Sequence, residues 1–317
     1  MVNKKVVCLG GGVGTANLLK GIKKHFSGIS VVVSMADDGG SAGRLRRYYK
    51  TFPTGDIINC LVALSEADSV LIDLLKYRFE GRRYGPDSLL PGHKLGNLIL
   101  LALSKIKGDF NEGLVEIQKI FKTKGKIYAC TKTPISIWAK TSKGHIVTRE
   151  ENIDLGKFKG EIKKLFIRPK NPGVGKEVIN SIEQSDIIIA GPGDLYTTIL
   201  PTLMVPSILE AIRKSKARKF FIVNVANKPF ETPKYTVSKF ADAIKKHCGD
   251  VLFDTFFINN NQKPEIPDKW KFQYNFVPVV KDKKNYSFEI VQDDLVFEDF
   301  PLYHDSDKLA NSISLNI

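Results

Sequence analysis

Cysteine is scarce in this chain, and its spacing excludes the common cysteine-based sites. The 317 residues include only Cys8, Cys60, Cys130 and Cys248, with no C-x-x-C pair. A structural zinc site needs ligands at short, regular spacings, and a disulfide framework needs paired cysteines in a small secreted domain. The sequence therefore predicts four reduced thiols in or near a core.

Long hydrophobic runs are also absent. No apolar stretch approaches the roughly 20 residues that a membrane-spanning helix needs. The N-terminus leads into a short apolar run that ends at glycines, whereas a signal peptide has a longer apolar region and a cleavage site. We therefore expect a cytoplasmic protein without a membrane span.

Acidic residues are outnumbered by basic ones, mainly in the first half of the chain. The formal net charge is +14, and residues 1–160 carry 26 Lys+Arg against 14 Asp+Glu. A basic half is suited to a phosphate-bearing partner such as a nucleotide, a nucleic acid or an anionic lipid. The alternative is that many of these lysines only solvate helix faces.

Strand and helix patterns alternate along most of the chain. A short β-branched run at residues 6–9 ends in glycines and is followed by apolar residues at helical spacing and a second strand pattern at 29–33. This is the opening of a βαβ unit. We predict an α/β protein: one domain over residues 1–317, a Rossmann-like α/β/α sandwich with a mostly parallel sheet, and a β-rich excursion at 126–170 within it.

The glycine loop after the first strand is a candidate phosphate site. It consists of Gly10, Gly11, Gly12, Gly14 and Thr15. Glycines allow the backbone to approach a ligand, and the helix that follows offers free N–H groups and a positive dipole end. No Lys-Ser or Lys-Thr closes the loop, so it is not a Walker A motif.

An acidic, glycine-rich segment follows the second strand. Its candidate ligand contacts are Asp37, Asp38, Gly39, Gly40, Ser41 and Arg44. One carboxylate could hold a ribose, or Asp37 and Asp38 could hold Mg²⁺ against a diphosphate. The Arg44 guanidinium matches phosphate oxygens. A plain acidic turn is the alternative.

Two predicted helix starts carry polar side chains that could face the same cleft. Asp56 and Asn59 are about one helical turn apart, and His93 and Asn97 precede or begin an apolar helix. Asp56 could instead be a simple helix N-cap.

A second glycine turn repeats the arrangement after a later apolar strand. Its candidate residues are Gly191, Pro192, Gly193, Leu195 and Tyr196, and Asn224 ends the next strand. Because parallel strands meet ligands at their carboxyl ends, this turn and the first glycine loop are predicted to bracket one cleft.

Taken together and in order, these motifs resemble the gluconeogenesis factor family, whose members are similar to the 2-phospho-L-lactate transferases. The resemblance runs over nearly the whole chain, to His304 and Asp305 near its end. It implies a Rossmann-like fold and a cytoplasmic protein that binds a nucleotide diphosphate sugar such as UDP-N-acetylglucosamine. It also implies a role in carbon flux and in cell-wall or cell-shape maintenance.

Several positions depart from the family pattern. Asp194 stands where the family usually has Ser after Gly-Pro-Gly, Phe230 replaces a glycine before Glu231, and Arg149-Glu150-Glu151 stands where Gly-Glu-Ser is expected. These changes bear on the nucleobase preference more than on the phosphate site.

Three other functions remain open on the sequence. The same cleft could serve a phospholactyl-type transferase that uses Mg²⁺ and a nucleotide-activated donor. An NAD-dependent oxidoreductase would fit the opening βαβ unit, but the acidic pair Asp37 and Asp38 lies more than 20 residues after the first glycine and within a Gly/Arg-rich loop. A nucleic-acid module would fit the charge, but no recognition helix or aromatic-interleaved basic stripe is visible.

Partners are predicted mainly from these motifs. We expect a nucleotide diphosphate sugar as ligand, Mg²⁺ as the candidate cofactor, and no nucleic acid. A homodimer is the default expectation for a closed assembly.

The cleft assignment predicts that Gly12→Asp or Asp38→Ala abolishes nucleotide-sugar binding and leaves the fold intact. The new carboxylate in Gly12→Asp would repel a phosphate by on the order of 1–4 kcal/mol at close range. Calorimetric titration and circular dichroism measure the two properties. Unaltered affinity in both variants would contradict the assignment.

Overall fold

A computed structural model describes residues 2–86, 90–281 and 286–317. The strands are β1 (Val2–Gly10), β2 (Phe26–Val33), β3 (Lys126–Ala129), β4 (Ser136–Thr141), β5 (Ile146–Thr148), β6 (Ile162–Arg168), β7 (Ile187–Ala190), β8 (Arg218–Ile222), β9 (Ala226–Asn227), β10 (Thr255–Asn259), β11 (Asn275–Phe276) and β12 (Glu289–Asp293).

The helices alternate with these strands along most of the chain. They are α1 (Gly12–Ile22), α2 (Gly40–Tyr49), α3 (Gly55–Leu64), α4 (Ser69–Lys76), α5 (Leu95–Lys107), α6 (Phe110–Ile120), α7 (Glu150–Asp154), α8 (Lys176–Glu183), α9 (Leu200–Leu203), α10 (Pro206–Lys214), α11 (Val237–Cys248), α12 (Asp268–Lys271) and α13 (Ser306–Leu315). A π-helical turn, Leu195–Ile199, leads directly into α9.

A seven-stranded parallel sheet forms the centre of the fold. Its spatial order is β12-β10-β8-β7-β1-β2-β3, and each neighbouring pair is parallel. Residues 6–9 of β1 and all of β7 are buried, because helices cover the sheet and its strands need no polar face. The predicted α/β class and Rossmann-like α/β/α sandwich are confirmed.

The strand order creates a crevice next to β1. The chain first builds outward from β1 through β2 and β3, and later returns to place β7 on the other side of β1. The connections that leave the carboxyl ends of β1 and β7 therefore run in opposite directions. In open parallel sheets ligands bind at such a switch point.

The β-rich excursion is a separate antiparallel sheet of order β5-β4-β6. Strand β3, which the sequence interpretation included in the excursion, pairs instead with β2 in the central sheet. The excursion sheet thus begins after Ala129. Periodicity identifies a strand but does not indicate which sheet it joins, so this boundary could not be read from the pattern.

One edge of the central sheet is closed by a side chain. The Gln118 amide donates to the Ile127 carbonyl at 3.1 Å and accepts from the Ile127 N–H at 2.6 Å. Because β3 is the last strand at that side, these groups would otherwise be unpaired.

The four cysteines are buried and free, as predicted. Burial raises the pKa of the Cys8 thiol to about 12 and that of Cys130 to about 11. These thiols are therefore protonated and unreactive at neutral pH.

Within the described ranges, no single helix has both the length and the apolar character to cross a membrane. Only Leu195–Leu203 and Pro206–Lys214 taken together pass by length and composition, and they are bent by 71°.

The packing of α1 against α13 predicts a destabilising Gly21→Ala substitution. An added Cβ would lie 2.0 Å from the Ser306 carbonyl oxygen and 2.8 Å from the Ala310 Cβ. Alanine in a helix normally stabilises by about 0.5–1 kcal/mol relative to glycine. Here we expect a net loss of about 1–3 kcal/mol, because the helices must separate.

Urea unfolding measures this loss, and Gly173→Ala is the control. Its Cβ would meet only the Lys132 side chain at 3.7 Å, an ordinary contact. Equal stability of the two variants would contradict the close packing of α1 on α13.

Candidate functional site

A cavity of about 600 Å³ lies at the switch point of the sheet. Its walls are the loops after β1, β2, β7 and β8, the start of α3, helix α7, and segments near residues 83–84, 270–274 and 302–304. The cavity is where the sequence predicts a ligand cleft, at the carboxyl ends of parallel strands.

The predicted site residues divide into two groups. Those that line the cavity are Gly11, Gly12, Gly14, Asp37, Gly39, Asp56, Asn59, Pro192, Gly193 and Asn224. Those that do not line it are Gly10, Thr15, Asp38, Gly40, Ser41, Arg44, His93, Asn97, Gly191, Leu195 and Tyr196.

The two glycine loops are locked together. A Cβ on Gly14 would lie 2.7 Å from the Pro192 carbonyl oxygen, so only glycine permits this approach. The Thr15 hydroxyl accepts from the Gly11 N–H at 2.9 Å and donates to the Pro192 carbonyl at 3.1 Å. Thr15 is therefore a link between the loops, and the loops form one continuous floor.

Asn224 fixes the second loop from the end of β8. Its side-chain amide accepts from the Gly193 N–H at 3.1 Å and donates to the Gly193 carbonyl at 3.0 Å. This paired contact explains why an asparagine at a strand end lines the cavity. It also sets the height of the loop above the sheet.

Asp56 faces the first glycine loop. Helix α3 has Thr54 at its N-cap, and the Asp56 carboxylate instead accepts from the Gly12 N–H. The N-cap interpretation of Asp56 is therefore wrong. Burial, with Asp37 and Asp194 nearby, raises the pKa of the Asp56 carboxyl to about 7.

The two adjacent aspartates after β2 have different surroundings. Asp37 lines the cavity and accepts from the Gly39 N–H at 2.9 Å, and burial with Asp38 nearby raises its pKa to about 6. The Asp38 carboxylate accepts from the Glu151 N–H at 3.0 Å and lies 3.5 Å from Arg149 Nε. Asp38 thus ties the loop to α7, and Asp37 alone of the pair faces the cavity.

Ser41, His93 and Asn97 form a buried hydrogen-bond cluster behind the cavity wall. The Ser41 hydroxyl lies 2.9 Å from His93 Nδ1 and accepts from the Asn97 amide at 3.0 Å. These three side chains join α2 to the start of α5. The sequence interpretation expected Ser41, His93 and Asn97 to contact the ligand, but the three side chains bond to one another instead.

Arg44 supports the wall through backbone contacts. Its guanidinium donates to the carbonyls of Arg82 at 3.4 Å, Pro86 at 2.5 Å and Pro91 at 2.8 Å, and the residue is 1% exposed. The neighbouring Arg83 is the arginine that lines the cavity. It lies on a segment without a motif, so no sequence pattern pointed to it.

Leu195 and Tyr196 begin the π-helical turn and are buried. The amide N–H groups of Tyr196 and Thr197 donate to Glu231 Oε2 at 2.9 and 3.2 Å, and the Thr197 hydroxyl donates to Glu231 Oε1 at 2.8 Å. Burial, together with other carboxylates, raises the pKa of Glu231 to about 7. Glu231 therefore anchors the turn.

Lys228 lies among three carboxylates at the cavity wall. Its ammonium contacts Asp154, Asp194 at 2.5 Å and Glu231 at 3.3 Å. The carboxylates are close enough together to hold a metal ion, but the Lys228 ammonium already contacts each of them. Asp194, one of the departures from the family pattern, is thus paired with a lysine.

The cavity is acidic although the chain is basic. The charged residues that line it are Asp37, Asp56, Glu150, Glu151, Asp154, Asp194, Arg83 and Lys228. Burial next to Asp37 and Asp154 also raises the pKa of Glu150 well above its usual range. The net positive charge of the first half of the chain therefore does not extend to the lining of this cavity.

The far wall is aromatic. Trp270, Tyr274, Tyr303 and His304 line it, and the Trp270 and Tyr274 rings meet edge to face at 5.6 Å between centroids. The sequence interpretation missed this wall, except that His304 contributed to the resemblance. These residues come from a Pro-rich C-terminal region that has no periodic pattern.

The comparisons with known proteins agree with the arrangement of the motifs. The family described as 2-phospho-L-lactate transferase CofD matches residues 6–296. The gluconeogenesis factor of Halalkalibacterium halodurans is 38% identical over 99% of this chain and 96% of its own. That of Bacillus subtilis is 37% identical over 97% of this chain and 96% of its own.

A solved structure has the same fold. The crystal structure of a UPF0052 family protein from Bacillus halodurans has a TM-score of 0.91 and 37% identity, over 99% of this chain and 100% of that one.

Asp56→Asn is predicted to stabilise the protein at pH 8 by about 2 kcal/mol. The folded-state pKa of Asp56 lies near 7 and an unfolded aspartate titrates near 3.8. The folded state thus holds a proton that the unfolded state releases, and stability falls as pH rises through this interval. Asparagine has no charge to desolvate.

Urea unfolding at pH 5 and pH 8 measures the effect. The difference between the variant and the wild type should be larger at pH 8, and Asp242→Asn, on the exposed face of α11, should show no such trend. A stability difference between Asp56→Asn and the wild type that does not change with pH would contradict the raised pKa of the buried Asp56 carboxyl.

Proposed function

Because the chain belongs to the 2-phospho-L-lactate transferase CofD family and matches gluconeogenesis factors over nearly their full length, we propose that it is a cytoplasmic regulatory protein that binds a nucleotide diphosphate sugar of the UDP type. The proposed role in carbon flux and in cell-wall or cell-shape maintenance is supported by the relationship to the gluconeogenesis factors.

The observation that carries the ligand proposal is the pair of interlocked glycine loops at the switch point. The loops bring the N-terminus of α1 and the backbone of Gly193 to the cavity, and their glycines place no side chains of their own there. A diphosphate is suited to such a floor, because a helix N-terminus favours anions. A cavity of about 600 Å³ is within the range of small-molecule sites.

The acidic wall supports a divalent cation as part of the ligand. A diphosphate next to Asp37 and Asp56 would be repelled unless a cation neutralised both. The donors fit Mg²⁺, which prefers carboxylate and phosphate oxygens.

Asp37 and Asp56 would hold the cation, and Arg83, which lies beside Gly40 and close to Asp37, would contact phosphate. The bound cation would supply charge neutralisation between the carboxylates and the diphosphate. It would also lower the raised pKa values of Asp37 and Asp56, because a nearby positive charge favours the ionised carboxylate.

A second candidate is a Mg²⁺-dependent phospholactyl-type transferase. The family relationship and the cavity carboxylates favour it, since phosphoryl-type transfer depends on positioning and charge neutralisation. The regulator and the transferase differ in turnover, so an experiment that measures binding and products together separates them.

We expect saturable binding of UDP-N-acetylglucosamine that is strengthened at least about tenfold by Mg²⁺, without breakdown of the ligand. Calorimetric titration with UDP-N-acetylglucosamine, UDP-glucose, GDP and NAD, each with and without Mg²⁺, tests this, followed by chromatography of the nucleotides. Asp37→Asn should lose most of the Mg²⁺ effect, with the exposed Asp242→Asn as the control.

A preference for GDP with Mg²⁺, or nucleotide turnover, would favour the transferase. Binding of NAD alone would overturn both proposals.

A further inference from the structure

Two buried polar atoms on the aromatic wall have no hydrogen-bond partner in the described part of the chain. They are Trp270 Nε1 and His304 Nε2, and both residues line the cavity. Buried polar groups in proteins are nearly always hydrogen-bonded, so each exception needs an explanation. A ligand in the cavity would provide the missing partners.

The hydrogen bonding of His304 fixes what its partner must be. The ring bonds to the Val223 backbone carbonyl, and burial lowers the pKa of His304 to about 4. The imidazole is therefore neutral at physiological pH, with its proton on Nδ1 toward Val223. Nε2 then has only a lone pair, so it can accept from a ligand N–H or O–H but cannot donate.

The histidine is held firmly at its position. Its backbone pairs with Val296, and the next residue, Asp305, caps α13 by accepting from the N–H groups of Asp307 and Lys308, both at 2.9 Å. His304 itself is 5% exposed. A polar atom fixed by a strand contact on one side and a helix cap on the other is preorganised for recognition.

The neighbours of His304 favour a flat ring over a sugar. Trp270, Tyr274 and Tyr303 supply aromatic surface, and aromatic side chains are the usual partners of nucleobases. Carboxylates that also line the cavity, such as Glu150 and Asp154, accept hydrogen bonds and so suit sugar hydroxyls.

We propose that the aromatic wall holds the uracil ring and that His304 is a specificity residue that accepts a hydrogen bond from uracil N3–H. The inference rests on the proposed function, the binding of a UDP-type ligand. N3–H is the one N–H donor of the uracil ring in a uridine nucleotide, so it is the group on that ring that can meet an acceptor. Trp270 Nε1–H then faces a uracil carbonyl.

The wild-type protein alone gives the first test. N3-methyl-UDP lacks the donor, and CDP presents a ring nitrogen lone pair in its place. We expect calorimetry to show UDP binding at least about tenfold more tightly than either, because the analogues leave His304 without its partner.

Substitutions at His304 give the second test. His304→Asn keeps a donor near the Nδ1 position for Val223 but removes the acceptor, and should reduce the preference for UDP over N3-methyl-UDP to about twofold or less. His304→Gln places its amide near the Nε2 position and should restore most of the preference. The exposed His145→Asn is the matched control.

The outcomes separate the inference from the proposed function. Equal binding of UDP and N3-methyl-UDP by the wild type overturns the inference and leaves UDP binding intact. A His304→Asn variant that prefers UDP over N3-methyl-UDP as strongly as the wild type does also overturns it. Failure of the wild type to bind any uridine nucleotide overturns the proposed function, and this inference with it. The comparison of UDP with N3-methyl-UDP on the wild-type protein tests the inference even where a variant does not fold.

Discussion

The close approach of Gly14 to the Pro192 carbonyl holds the candidate site together. It joins the loop after β1 to the loop after β7, and these strands diverge at the switch point of the sheet. The Thr15 hydroxyl bridges the same two loops. Because Asp56 contacts one loop and Asn224 the other, the positions of both walls depend on this contact.

The site combines an amide floor with acidic walls, and this combination limits what can bind. An anion alone would gain from the helix N-terminus but lose to the carboxylates at Asp37 and Asp56. A cation alone would gain from the carboxylates but lose to the positive end of the helix dipole. Burial, together with neighbouring carboxylates, raises the pKa of both carboxyls, so ionising them inside the cavity is costly without a further positive charge. An anion and a cation together satisfy both surfaces.

At Lys228 the chain neutralises part of the negative charge of the cavity carboxylates itself. Its ammonium contacts Asp154 of α7, Asp194 of the second glycine loop and Glu231 below the π-helical turn. It therefore links the excursion to the central sheet. Two neighbouring parts of one cavity thus differ. In one, the carboxylates pair with Lys228; in the other, at Asp37 and Asp56, we propose that an external cation binds.

The sequence predicted the parts of the site that follow local rules. Glycines after β1 and β7 and an amide after β8 were placed correctly, because strand ends and tight turns have clear signatures. His93 and Asn97 were expected to face the cleft, but their hydrogen bonds with Ser41 hold them behind its wall. Local sequence patterns indicate which residues lie near one another, but not which way their side chains point. Glu150, Lys228 and Trp270 come from distant segments that only the tertiary fold brings to the cavity, so no local pattern could identify them.

The Gln118 contact with Ile127 has a consequence for self-association. Open sheets polymerise when an exposed strand of one copy pairs with an exposed strand of another. At β3 an incoming strand would have to displace an amide that already bonds both backbone groups of Ile127. The contact thus hinders strand addition at Ile127 on this side of the sheet.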